Sequence, residues 1–328
     1  MSVIFYHSPL GIIEIVFSKN SISSLQFVNQ LNTPLTDSIE EIDIVSGKLI
    51  IQFLDNYFLA QKQELSMNIL SSGSSFHLEI MSKIQKIPYG QHITYSDLAS
   101  QLGLKNAVRA IANSLGKNKV LILNPCHRIT GKHNQGGYKA GVWRKKYLLA
   151  LEQGDLKNLG LNIKAVHLNE NMPAWKELYE IEKEAILSIC DVKTEQIAHI
   201  GSTFIPNFIS KPIIDIMLGI NPEQENEILS RLKLIGWHYK ANFDPKEWHY
   251  LAKGVGDFIT HHLHVCHYNS VFFKQHIAFR DILVNHPEIL KQYENLKTNL
   301  KSDFAQERKA YTQAKSDFIF SVLQKFGY

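Results

Sequence analysis

"LILNPCHRIT", residues 121–130, places a cysteine behind a proline and ahead of a histidine and an arginine. Of the chain's three cysteines, Cys126, Cys190 and Cys266, none forms a CxxC pair. Their odd number and scatter exclude a disulfide framework and a cysteine-rich zinc site, and predict a reducing, cytoplasmic setting. Cys126 is therefore either a small buried hydrophobe or a nucleophile. A free thiol, with a pKa of about 8.5, is mostly protonated at neutral pH, so a nucleophile needs a base beside it. His127 is adjacent, but adjacent side chains of a strand point to opposite faces. The imidazole reaches the sulfur only if the chain turns at Pro-Cys-His, or if a water relays the proton. Glu152, in the helix-like "RKKYLLALEQG", is the candidate for orienting that ring. Downstream, Gly136 and Gly137 permit a tight turn that brings Tyr138 toward the sulfur.

Around this stretch the composition is that of an ordinary globular protein, 45% hydrophobic and 20% charged. At 328 residues, two domains are expected. The first residues lack the pattern of a signal peptide, and no apolar run approaches the ~18 residues of a membrane span. The formal net charge is +4, but it is unevenly spread. Residues 83–146 carry Lys83, Lys86, Lys105, Arg109, Lys117, Lys119, Arg128, Lys132, Lys139, Arg144, Lys145 and Lys146 against the single acid Asp97. Such a region is a phosphate-binding surface or a solvated lysine face.

The periodicity predicts strands in "SVIFYHSPLGIIEIVFS" and "ISSLQFV", then a helix in "SIEEIDIVSGKLIIQFLDNYFLA". "SSGSS", 71–75, reads as a short linker with N-cap character. "FHLEIMSKIQKIPYG" reads as an amphipathic helix stopped by Pro88 and Gly90. "TYSDLASQLG", with Thr94 as N-cap and Gly103 as C-cap, and "NAVRAIANSLGKN", ended by Gly116, fit a helix-turn-helix. The domain boundary is placed in "QGDLKNLGLNIK", 153–164. The expected organisation is an N-terminal α/β subdomain at 1–72, a helical subdomain carrying Cys126 at 73–155, which the resemblance described next makes the DNA-binding and catalytic one, a linker at 156–164 and a second domain at 165–328.

"NPCHRI" together with "IPYG", "TYSDLA", "AVRAI" and "GGYKAGVWRKKYLLALE", in register, resembles the O6-alkylguanine-DNA alkyltransferase family over residues 1–155. The resemblance implies a ribonuclease H-like N-terminal subdomain, then a winged-helix or helix-turn-helix-like subdomain. It implies irreversible alkyl transfer from O6-alkylguanine or O4-methylthymine in double-stranded DNA to Cys126, without a cofactor or metal. It also implies minor-groove binding with base flipping, by a monomer with no membrane partner. His127 would deprotonate Cys126 through a water, Glu152 would hold His127, and Asn118 would brace the turn. Tyr95 would donate to guanine N3, Arg109 would enter the base stack, and Tyr138 would line the pocket. Ala107 and Ala110 are the small residues that let the helix backbone approach the groove, and Arg128 is placed among the DNA-contacting residues. Asn124, Met81, Asn113 and Ser114 depart from the family pattern; Asn124 is expected to alter packing at the sulfur, and Asn113 and Ser114 to reduce helix insertion. Asn124 also motivates an alternative, a lesion-recognition module with a slow cysteine.

"AHIGSTFIPNFISKPIIDIMLGI" and "THHLHVCHYNSVFFKQHIAFRDILVNHPEILKQYENLKTNL" resemble the GrpB family over 165–328. That resemblance implies a nucleotidyltransferase-like α+β fold, making the whole an α+β and α/β two-domain chain. Gly201 and Ser202 would form the phosphate-gripping turn and Asp215 would supply one metal carboxylate. Met217 stands where the second carboxylate belongs, and His262 and His264 line the strand where a third would lie. Lys211, Asp215, His262 and His264 form a candidate polar pocket, with a nucleotide or divalent metal as its possible ligand.

Overall fold

The computed structural model describes residues 1–28, 41–155, 173–208, 210–211, 213–239, 248–255, 258–303 and 308–328. Its contacts divide the chain into two units, Met1–Leu159 and Gly160–Tyr328. The expected linker, 156–164, and the start of the second domain lie outside the described residues. Both units mix helices and strands.

In the first unit, β1 (Ser2–Ser8), β2 (Gly11–Ser18) and β3 (Ser21–Val28) form an antiparallel meander. β2 is apolar enough to be buried almost throughout, with Ile12, Ile13, Ile15 and Phe17 fully covered. Helix α1 (Glu41–Phe58) packs against β1 and β2, and the short β4 (Asn68–Ile69) runs parallel to β3. The free part of the β3 edge matters most for function. Leu25 N–H donates to Lys119 O at 2.8 Å, and Leu121 N–H donates to Leu25 O at 2.8 Å. The segment leading into Pro125 is thereby tied to the sheet.

The helical part starts with α2 (Ser75–Gln85), whose N-cap is Ser74 of the "SSGSS" stretch. β5 (Ile93–Thr94) pairs in parallel with β6 (Ile129–Thr130). Thr94 then caps α3 (Tyr95–Gln101) with a reciprocal Thr94–Asp97 capping box. α3 packs on α4 (Val108–Gly116), so the two expected short helices are present and adjacent. Gly103 takes φ +71° just past α3, but Gly116 has no such role: it is the last helical residue, and the right-handed Lys117 caps the end. α5 (Val142–Glu152) completes the unit.

The second unit contains α6 (Pro173–Ile189), β7 (Ile197–Ile200), β8 (Ile214–Ile220), α7 (Glu225–Leu234), β9 (His238–Tyr239), β10 (Trp248–Val255) and β11 (Phe258–His267). Helices α8 (Val271–Asn285), α9 (Pro287–Asp303) and α10 (Arg308–Lys325) follow. The sheet order is β7-β8-β11-β10-β9, with β8 and β11 parallel and the other pairs antiparallel. Central β8 is the apolar run "IDIMLGI", in which Asp215 is the one charged residue. Parallel pairing puts Asp215 beside His262 and Met217 beside His264. A buried Lys253 Nζ–Glu182 Oε2 pair at 2.6 Å ties β10 to α6.

Thr94→Ala removes the hydroxyl half of the capping box, the bonds from Asp97 N to Thr94 Oγ1 and from Thr94 Oγ1 to Asp97 Oδ2. It should lower the stability of the first unit by about 1 kcal/mol, read as a shift of its urea midpoint.

Candidate active site

Pro125, at φ −78° and ψ 60°, sits at the centre of an inverse γ-turn in which Cys126 N–H donates to Asn124 O at 2.7 Å. Residues Cys126–Arg128 continue as a single 3₁₀ turn. Cys126 is thus on a turn and not on a strand, and the opposite-face geometry of a strand does not apply. All three residues are buried, with His127 fully so.

Glu152, at the end of α5, gathers the turn. Its Oε1 accepts from His127 Nε2 at 2.8 Å, Tyr57 Oη at 2.7 Å and Arg128 Nη2 at 2.8 Å. Its Oε2 accepts from Arg128 Nε at 2.7 Å and from Gly90 N at 3.2 Å. Burial pushes the Glu152 carboxyl up, but the bonds and charges of His127 and Arg128 outweigh it and hold it at about 2. Burial also lowers His127, and the pull of Glu152 does not restore it, so the ring is neutral. A carboxylate only accepts, so the ring hydrogen must lie on Nε2. Nδ1 is then a bare lone pair, and it has no hydrogen-bond partner among the described residues.

Cys126 forms the floor of a cavity of about 170 Å³ lined also by Tyr95, Ala112, Leu115, Gly116, Tyr138 and Lys139. A dry cavity of about 150 Å³ accepts a benzene ring, so this one has room for flat aromatic matter beside the sulfur. Burial raises the thiol above its usual value; the Asn118 hydrogen bond and the Lys145 ammonium oppose that rise. Asn118 Nδ2 donates to Sγ at 3.1 Å and to Asn124 O at 2.8 Å, while its Oδ1 accepts from Val120 N at 3.0 Å. Lys145 is fully buried, donates to Gly137 O at 3.1 Å and also to Ile129 O, and burial lowers it to about 8. Gly136, at φ +67°, must be glycine: a Cβ there would meet Tyr95 Cε2 at 2.7 Å. Tyr138 sets its ring edge-on to His127, with centroids 6.3 Å apart.

The structure sorts the remaining expectations. Arg128 does not face DNA: it is buried, with its guanidinium spent on Glu152 and, through Nη1, on Ile87 O at 2.7 Å. Arg144 and Lys145 are likewise buried and leave the basic surface; Arg144 Nε donates to Leu10 O at 2.8 Å, tying α5 to the sheet. Arg109, Ala110 and Asn113 lie on the exposed side of α4, and Ala107 is half-buried at its start. Ser114 faces inward and bonds His77 Nδ1 at 2.9 Å, so it does not bear on insertion. Asn124 spends its amide on polar neighbours, accepting from Gln85 Nε2 at 2.6 Å and donating to Ser71 Oγ at 3.2 Å and Asn118 Oδ1 at 3.4 Å. Met81 is a buried core residue. Tyr57 has no local signal of a functional role: its place in an apolar helix signals core packing, and only the fold brings its hydroxyl to Glu152. Lys145 stands in a basic run, which signals surface charge and not the buried position it takes.

In the second unit the sheet brings Asp215 and His262 together, with Oδ1 and Nδ1 2.9 Å apart. Gly201, at φ +71°, lies against Asp215: a Cβ would meet Oδ2 at 2.4 Å. Ser202 Oγ accepts from Lys297 Nζ at 3.1 Å. Burial raises the Asp215 carboxyl, but His262, His264 and Lys315 bring it down to about 2. A divalent cation does not fit these residues. Asp215 is engaged by His262, Met217 offers no oxygen, and Lys315 repels a cation at the carboxylate. Among the described residues no group of three His, Cys, Asp or Glu side chains is placed to hold a metal.

These two sites point to a cysteine-nucleophile DNA protein joined to a second, separate module. Residues 75–154 match the family described as "6-O-methylguanine DNA methyltransferase, DNA binding domain", and residues 165–325 match "GrpB protein". The methylated-DNA–protein-cysteine methyltransferase of Metallosphaera sedula is 31% identical over 153 residues, 46% of this chain and 93% of that protein. The glutamate-rich protein GrpB of Alkalihalophilus pseudofirmus is 33% identical over 172 residues, 51% of this chain and 99% of that protein. A solved structure of Mycobacterium tuberculosis OGT in complex with DNA is 26% identical, covering 46% of this chain and 91% of that chain, with a TM-score of 0.41. The chain belongs to the methylated-DNA–protein-cysteine methyltransferase family in its first half and to the GrpB family in its second.

Arg128→Met leaves a buried carboxylate without its ion pair. It should destabilise the first unit by about 3–5 kcal/mol in urea unfolding, a loss that an exposed DNA-contacting arginine would not produce.

Proposed function

We propose that the first unit repairs DNA by transferring an alkyl group from O6 of guanine, or O4 of thymine, to Sγ of Cys126. The observation that carries this reading is the placement of Cys126 at the floor of an open pocket, with an amide hydrogen of Asn118 on its sulfur. His127 Nδ1 takes the thiol proton, directly or through one water, and Glu152 stabilises the imidazolium that results. The thiolate then attacks the alkyl carbon. The S–C bond forms as the C–O bond breaks, and the bonding pair leaves with the base. The Tyr95 hydroxyl, at the pocket wall, donates to guanine N3 and disperses that charge. The product is a thioether, which nothing in this site cleaves, so each chain acts once and needs no cofactor.

The target oxygen is inaccessible within a duplex, so the nucleotide must be flipped out, at a cost of a few kcal/mol. The exposed side of α4 suits the minor groove, where Ala107 and Ala110 allow close approach and Arg109 fills the space left in the stack. Lys105, Lys117, Lys119, Lys132 and Lys139 supply phosphate contacts that position without specifying sequence. We read the sheet subdomain as ribonuclease H-like, the helical one as winged-helix-like and the protein as a cytoplasmic monomer. The Asn124 side chain is held by Gln85, Ser71 and Asn118, and so meets the sulfur only through Asn118.

Mass spectrometry after incubation with duplex DNA carrying O6-methylguanine should show one methyl group per chain, on the Cys126 peptide. An unmodified Cys126 in folded protein would overturn the proposal. Cys126→Ser should abolish transfer while retaining DNA binding that weakens steeply with salt. Because burial raises the thiol, its iodoacetamide labelling without DNA should still be climbing with pH above the ordinary thiol value of about 8.5.

A further inference from the structure

We propose that Asn124 and Gln85 are positioning residues for the alkyl transfer: with Asn118 they form a line of amide hydrogen bonds, all donating in the same direction, that ends on the sulfur of Cys126. Gln85 Nε2 donates to Asn124 Oδ1 at 2.6 Å. Asn124 Nδ2 donates to Asn118 Oδ1 at 3.4 Å. Asn118 Nδ2 donates to Cys126 Sγ at 3.1 Å. The line starts on the exposed Gln85, the last residue of α2, and runs inward through Asn124 and Asn118, each only 1% exposed. Its role in repair rests on the alkyl-transfer reading above; its action on the thiol does not.

The remaining bonds of the two buried amides fix this direction. Asn118 Oδ1 takes a second hydrogen from Val120 N at 3.0 Å, and its Nδ2 gives its other hydrogen to Asn124 O at 2.8 Å. Asn124 Nδ2 gives its other hydrogen to Ser71 Oγ at 3.2 Å. Turning the Asn118 amide over would set its oxygen against Sγ and its N–H against the Val120 N–H, so that orientation is closed. Burying an amide at 124 is costly unless it is bonded in this way, and an aliphatic side chain would avoid the cost. What the amide supplies in return is electrostatic. An amide that accepts a hydrogen at its oxygen becomes a better donor at its nitrogen, so bonds in series strengthen one another. The most polarised N–H of the line therefore faces the sulfur, where it favours the thiolate over the thiol. The link between Asn124 and Asn118 is the longest of the three and sets how much of that polarisation arrives. Burial raises the Cys126 thiol and the Asn118 bond opposes the rise; Asn124 and Gln85 act by strengthening that bond.

The test is the pH dependence of iodoacetamide labelling at the Cys126 peptide of the full chain without DNA, in the wild type, Asn124→Val and Gln85→Leu. Transfer from duplex DNA carrying O6-methylguanine is timed beside it. Asn124→Val should move the labelling midpoint up by about half a pH unit to one unit and slow transfer about three- to tenfold at neutral pH, the worth of one hydrogen bond. Gln85→Leu should move the midpoint the same way by a smaller amount. Because Gln85 is exposed, this variant decides the question if Asn124→Val does not fold. A mere packing defect would change the labelling rate by one factor at every pH and leave the midpoint in place. A midpoint unmoved in either folded variant overturns the relay, whatever happens to transfer. Midpoints that move in a wild type and variants that never transfer would instead overturn the alkyl-transfer reading and leave the relay acting on the thiol.

Discussion

The Glu152 carboxylate is the constraint on which the first unit depends. It is buried, and a buried carboxylate is tolerated only when paired and hydrogen-bonded on both oxygens. Arg128 supplies the pair, and His127, Tyr57 and the Gly90 amide complete the shell. The partners come from α1, from the turn after α2 and from the Pro-Cys-His-Arg turn, and Glu152 itself ends α5. One anion therefore fixes the relative positions of four segments, and with them the orientation of the imidazole beside the reactive sulfur.

Structure and chemistry are coupled through this point. Because Arg128 holds Glu152 ionised, the carboxylate can only accept, and His127 is fixed in the tautomer that leaves Nδ1 bare. Burial that would suppress a thiolate is offset in part by the Asn118 amide and the Lys145 ammonium. The resting thiol is kept neutral, with the groups that favour its anion already in place. Such preorganisation lets a cysteine react when a target enters the pocket without being spent on solvent-borne electrophiles beforehand.

Much of this was legible in the sequence because its signals are local. Ser74 and Thr94 mark helix starts, Gly103 marks a helix end, and the Pro-Cys-His-Arg run marks the nucleophile. What escaped reading depends on burial. Arg128, Arg144 and Lys145 belong to a run of basic residues, and charge alone does not say which of them turn inward. Tyr57 is 95 residues from Glu152, and its helical spacing is that of a core residue. Ser114 follows the exposed Ala112 and Asn113 on α4 but turns inward to His77, a matter of helix phase. In the second unit parallel strand pairing places Asp215 beside His262, whereas Lys297 reaches Ser202 from a helix whose packing no local motif records.

The tautomer of His127 tests the central claim most directly, through ¹⁵N NMR of the histidine-labelled full chain. The arrangement around Glu152 predicts a neutral ring protonated on Nε2 at about pH 7 and above. A ring carrying its proton on Nδ1, or an imidazolium at about pH 7, would contradict it.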